Sequence, residues 1–129
     1  MPAVVLTISE AAQNAACNAV VDLIDVGSGT ANLVLGDTGM ANSLVSCAFG
    51  SPAFGDAAVG VATANTITDG TVGIAGTATE AKITNKNGVS VIYGLTVGLA
   101  ATNVILTNNV FNIGDKVSVT SATVTMPAQ

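Results

Sequence analysis

Catalysis needs side chains that move a proton, supply an electron pair or hold a metal, and this sequence of 129 residues offers few of them. It has no His, no Trp and no Arg, and its basic residues are Lys82, Lys86 and Lys116. Without imidazole there is no Ser–His or Cys–His pair to activate a nucleophile. That leaves carboxylates. Asp22 and Asp25 stand three residues apart near the end of a predicted helix, where the helix dipole opposes negative charge. That placement makes them candidates for holding a metal or a partner, against the plainer reading of a solvated helix face. Asp37, Asp56, Asp69 and Asp115 each adjoin a glycine and read as turn formers. None shows the regular oxygen spacing of a calcium loop. Gly-Ser-Gly-Thr at residues 27–30 follows a helix and precedes a strand, the reverse of a dinucleotide-binding turn, and reads as a helix-to-strand connection. Cys17 and Cys47 fall in segments of different type and are expected as buried free thiols. The residues predict no enzyme, no cofactor and no metal.

Two kinds of element position these residues. Residues 9–26 carry Ala12, Ala16, Val20, Leu23 and Ile24 at three- and four-residue spacing, one apolar stripe of an α-helix. Thr7 with Glu10 fits a capping box, Ser9 is the alternative cap, and Gly27 is the stop. After Gly27, short runs of Val, Ile, Leu and Thr alternate with Gly, Asn and Asp. Strands are predicted near residues 31–35, 44–49, 60–67, 79–84, 89–97, 103–107 and 116–126. The expected fold is mainly β: a β-sandwich or jelly-roll-like barrel with one N-terminal α-helix. It divides into an arm and helix at 1–26 and a β-sandwich domain at 27–129, folding as one unit. Asn85-Lys86-Asn87-Gly88 predicts a hairpin turn in which Asn-Gly takes positive φ. Ala81 and Ile83 are expected on one face, with Val89, Val91, Tyr93 and Leu95 together on the returning strand. In the closing strand Val117 and Val119 are out of phase with Ala122, Val124 and Met126, which predicts a bulge near Thr120-Ser121.

Charged residues make up 9% of the chain, against about 25% in ordinary soluble proteins. So little charge poorly protects a β surface from association. The expectation is a homo-oligomer, foremost a trimer, with much of its surface covered by other subunits. The net charge of −5 and the lack of Arg argue against nucleic acid. No apolar run is long enough to span a bilayer, and the first residues lack the basic region of a secretion signal.

Residues 47–55, Cys-Ala-Phe-Gly-Ser-Pro-Ala-Phe-Gly, hold two of the 3 Phe of a chain that is 3% aromatic. Pro52 cannot donate to a ladder, so the stretch is a corner or a sheet edge. Phe49 is in phase with Val45 and Cys47 and is expected in the core. Phe54, beyond Pro52, is expected to project into a neighbouring subunit as an aromatic anchor, the alternative being a core plug made of both rings. Pro52, Phe54, Ala12, Ala16 and Val20 are therefore the candidate interface.

Four segments occur in a characteristic order: AVVDLIDVGSGTANLVL, SPAFGDAAVGVATAN, GTATEAKITNKNGVSVI and GDKVSVTSATVTMPA. In this the chain resembles a group of small structural proteins of tailed bacteriophages over nearly its whole length. It departs from them in the short Gly36–Ser43 region and in lacking an aromatic near Ala81. The resemblance implies a non-enzymatic virion component. Foremost is a capsid decoration (cement) protein on the capsid surface, partnered by the major capsid protein and made in the host cytoplasm. A tail or neck protein is the alternative. A carbohydrate- or receptor-binding module is a third reading, for which exposed aromatics are expected and scarce.

Overall fold

The computed structural model describes residues 9–100 and 102–125. The chain begins with α1 (Glu10–Ile24) and continues through β1 (Asn32–Gly36), β2 (Ser43–Ala48), β3 (Val61–Thr63), β4 (Gly70–Thr71), β5 (Gly76–Thr77) and β6 (Glu80–Thr84). It ends with β7 (Ser90–Gly98), β8 (Val104–Leu106), β9 (Val110–Phe111), β10 (Lys116–Val117) and β11 (Val119–Thr125). All seven predicted strand regions contain strands, and three two-residue strands, β4, β5 and β9, are additional. Met126 and Thr7 lie outside the described residues. The helix starts at Ser9, whose Oγ accepts the Ala12 amide at 3.2 Å, and gives way after Asp25 to Gly27 at φ 115°. No described helix is long and apolar enough to cross a membrane.

Seven strands form one curled mixed sheet in the order β2-β1-β6-β7-β8-β11-β3, with β10·β4 and β5·β9 as small separate pairs. The fold is thus mainly β with one N-terminal helix, and of the two expected architectures the barrel-like one describes it, as a half-barrel. A single core fills the concave side. Leu33 and Leu35 of β1, Leu44 and Cys47 of β2, Ala81 and Ile83 of β6, Val104 and Leu106 of β8, and Ala122 and Val124 of β11 meet Cys17, Val21 and Ile24 of the helix there. Helix and sheet share this core.

The edges of the half-barrel are joined by its least regular stretch. Beyond β2, Phe49 bridges Ile67, and the Gly50 amide donates to the Thr66 carbonyl at 2.8 Å. Beyond β3, Phe54 bridges Ala64, the Gly55 amide reaches the Thr63 carbonyl at 3.0 Å, and Asn65 donates to the Ala53 carbonyl at 2.9 Å. Residues 49–55 and 63–68 therefore extend both edge strands toward each other. An unpaired sheet edge is a template for unwanted pairing; this seam occupies both. The Ser51–Pro52 peptide in its corner is cis.

The expectation for Phe54 is corrected by this seam. The chain has not left the ladder after Pro52, so Phe54 turns inward. Phe49 is 6% exposed and Phe54 5%, with ring centroids 5.3 Å apart at an interplanar angle of 44°. That tilted contact adds to the burial of each ring. Phe54 belongs to this chain's own core; Pro52 is exposed at the corner.

Two further details differ from the sequence reading. In the loop between β6 and β7 only Gly88 takes positive φ, at 80°. Its amide donates to the Asn85 carbonyl, and the Asn85 amide to the Val89 carbonyl, so the three residues 86–88 form the loop. The Asn85 side chain accepts the amides of Asn87 and Val89 at 2.9 and 3.0 Å, which holds the turn without Asn87 going left-handed. In β7 the expected shared face breaks. Ile83 pairs with Ile92 where a regular ladder from Ala81·Leu95 would bring Tyr93, and Gly94 takes φ 68°. A bulge there turns Tyr93 to solvent while Leu95 stays buried. The bulge expected in the closing strand is present, between Val119 and Ser121 opposite Leu106 and Ile105.

Burial of both rings sets an expectation. Phe49→Ala and Phe54→Ala each lose about 3–5 kcal/mol, the usual cost of deleting a buried ring. Urea unfolding of the two variants measures it; a Phe54→Ala midpoint equal to the parent's would contradict this placement.

Candidate interaction surface

An amphipathic helix on a sheet ordinarily turns its apolar side inward. In α1 the inward side is narrow: Cys17, Val21 and Ile24 are buried, flanked by Asn14, Asn18 and Asp25. These three polar residues are spaced four and seven apart and so lie along one side of the helix. Each accepts a backbone amide from the segment after the Phe corner. Asn14 Oδ1 takes the Gly60 amide at 2.8 Å, Asn18 Oδ1 the Ala57 amide at 2.8 Å, and Asp25 Oδ1 the Ala53 amide at 3.0 Å. The segment 53–60 runs beside the helix with few ladder partners, and its amides need acceptors. Asn and Asp are poor helix formers in a helix interior; here they complete the backbone pairing of an irregular neighbour.

The Gly60 contact also braces a turn. Ala58 and Val61 exchange both backbone hydrogen bonds, at 2.9 and 3.0 Å, with Val59 at φ 53° and Gly60 at φ 72° between them. Left-handed φ is strained for a β-branched residue. Val59 stands exposed at the tip.

With the polar side occupied, the predicted stripe lies elsewhere. Ala12 and Ala16 are exposed and Val20 is half-buried; of the five stripe residues only Ile24 reaches the core. Leu23, 54% exposed, and Val26 continue the apolar outer face past the helix end. The exposed Pro52 is next to Ala53, which the helix holds through Asp25, so the candidate residues other than Phe54 lie on the outside around α1. The sequence reading missed Asn14 and Asn18; two Asn four apart inside a predicted helix were the available signal.

Asp22 is exposed and Asp25 is engaged with Ala53, and no three metal-capable side chains cluster among the described residues. The 27–30 turn is stitched to the β6–β7 hairpin. Lys86 donates its amide to the Val26 carbonyl at 3.1 Å and accepts the Gly29 amide at 3.2 Å. A side chain at Gly29 would collide with the Lys86 carbonyl, so the glycine is needed for that approach. A shallow cleft of about 250 Å³ is lined by Asp115, Lys116, Thr107 and Ser118 among others. Asp115 is committed there, its carboxylate accepting the Asn112 amide at 2.9 Å. On the sheet rim, Asn42 donates its side-chain and backbone N–H to the Asp37 carboxylate, which lowers the Asp37 pKa. Comparison with protein-family models, with curated proteins and with solved structures finds no match for the chain.

Both thiols are free and buried; Cys17 Sγ lies 3.5 Å from the Val124 carbonyl, to which it donates. Burial pushes both thiols above the ordinary value of 9.0. The neutral form is the one the fold favours. Their contribution is therefore complete below pH 9.0 and is lost as pH rises through the folded values. At pH 8 a disulfide-exchange reagent should label neither Cys in the folded protein and both after unfolding. Stability should fall more steeply as pH rises above 9.0 than in the Cys17→Ala/Cys47→Ala variant. Rapid labelling of the folded protein, or equal slopes, would contradict this.

Proposed function

We propose that the protein is a non-enzymatic virion structural protein, a capsid decoration (cement) protein that bridges neighbouring copies of the major capsid protein on the phage head. The observation that carries this reading is the small and apolar side that α1 leaves outside the core entered by Cys17, Val21 and Ile24. Its polar side is spent on the chain's own backbone, and its outer side offers Ala12, Ala16, Leu23 and Val26. Small side chains let another surface approach closely over a broad area, and broad contact is what a clamp against internal pressure requires. The four ordered sequence segments supply the virion context. The chain's one strongly exposed aromatic, Tyr93, gives little support to a sugar-stacking module.

Electron cryomicroscopy of intact particles tests the location directly. Density for this fold on the outer capsid supports the reading; density confined to the tail or neck replaces it with the other virion role. For the surface itself, Ala16→Glu introduces a charge on the outer face of α1. It should reduce attachment to purified shells at least tenfold while leaving the far-ultraviolet circular dichroism and the unfolding midpoint unchanged. Undiminished attachment of a folded Ala16→Glu protein would remove α1 from the contact.

A further inference from the structure

A chain of net charge −5 repels its own copies wherever carboxylates face each other. Its longest uncharged run is residues 87–114, which includes all of β7 and five exposed large hydrophobics, Val89, Tyr93, Leu99, Val110 and Ile113. The pairing of β7 is also lopsided. Toward β6 it is paired from Thr84·Ser90 to Glu80·Thr96, with register shifts on either side of Ile83·Ile92. On its other side it meets β8 only at Val97·Val104 and Gly98·Ile105, in parallel register. The bulge at Gly94 and the Asn103 side chain, which accepts the Thr96 amide at 3.1 Å, mark where that pairing stops. From Ser90 to Leu95 no amide donates outside the β6 ladder among the described residues.

Helix α1 approaches β7 as well as β3 and β11, yet Ser90, Val91 and Ile92 are only half-buried, and Tyr93 is 70% exposed. Natural edge strands are usually protected by a charge, a proline or a cover. This segment has none of its own; the adjoining β6 contributes one charge of each sign, Glu80 and Lys82.

We infer that residues 90–95 of β7 are a self-association edge, where two copies of this chain pair antiparallel about a two-fold axis. The occupant is a second copy because this is where two chains of equal negative charge meet with no carboxylate on the facing strands. Antiparallel pairing of one segment with itself is self-complementary, which an isologous contact requires. The backbone groups of this segment that have no partner among the described residues find one in the other copy, and Tyr93 of each copy gains a cross-strand neighbour. The order of assembly that follows is even, in place of the trimer that composition alone suggested. The inference stands apart from the virion reading, because it concerns the isolated protein.

Sedimentation velocity from 1 to 200 µM tests it on the parent, on Tyr93→Lys, and on Thr71→Lys as an exposed control on β4. The parent should show a monomer–dimer equilibrium. Its affinity should rise at least threefold between 50 and 500 mM NaCl, since salt screens the residual repulsion and no ion pair is lost. Tyr93→Lys should weaken dimerisation at least tenfold with an unchanged circular-dichroism spectrum, and Thr71→Lys should not. Should Tyr93→Lys misfold, Ser90→Lys takes its place, with the same loss expected. A parent that stays monomeric at 200 µM, one that forms only trimers, or folded lysine variants that associate as the parent does would each overturn the inference.

Discussion

Closure of a curled sheet across an irregular seam is the constraint on which the rest of this structure depends. A seven-stranded half-barrel leaves two edges, and neither β2 nor β3 carries a regular partner on its outer side. The chain meets this by running residues 49–55 and 63–68 across the opening. Their amides and carbonyls pair in scattered bridges, and Phe49 and Phe54 fill the space beneath. Scattered bridges leave amides over. Asn14, Asn18 and Asp25 accept three of them, which ties the helix to the seam as well as to the core. Unpaired buried amides cost about 1–3 kcal/mol each, so the helix's polar side is structural before it is anything else.

The functional proposal follows from that commitment. A 15-residue helix has room for one side toward the sheet, and here the seam's amides take much of it. Ala and Leu are left on the outside. In a monomer that exposure would be costly to no purpose; against a large partner it is contact area. A second surface, the uncharged edge of β7, lies on a different element, so attachment and self-association can be separated by mutation.

The sequence made the regular elements legible because their periods are long enough to read. The helix with its alternative cap Ser9, all seven main strand regions and the closing-strand bulge follow from spacing and punctuation alone. What escaped it was set by tertiary pairing. β4, β5 and β9 are two residues each and have no period. Tyr93 changed face because the ladder to β6 shifts register at the Gly94 bulge, and it shifts again between Ile83 and Thr84. Phe54 was misplaced because Pro52 was taken to end the ladder, whereas pairing resumes at Phe54 itself, which bridges Ala64. The helix stripe was read as apolar, and Ala12 and Ala16, named from it as candidate contact residues, are exposed; periodicity reports only that a helix has two sides, and it did not single out Asn14 and Asn18, which meet the seam's need for acceptors.

Amide hydrogen exchange tests the central claim most directly. The amides of Ala53, Ala57 and Gly60 belong to no regular strand, so a loose loop would exchange them near the unstructured rate. If the helix side chains hold them, they should be protected at least a hundredfold. Asn18→Ala should then release Ala57 while Gly50 and Asn65, paired within the seam, stay protected. Exchange of Ala53, Ala57 and Gly60 at the unstructured rate in the parent protein would contradict the account.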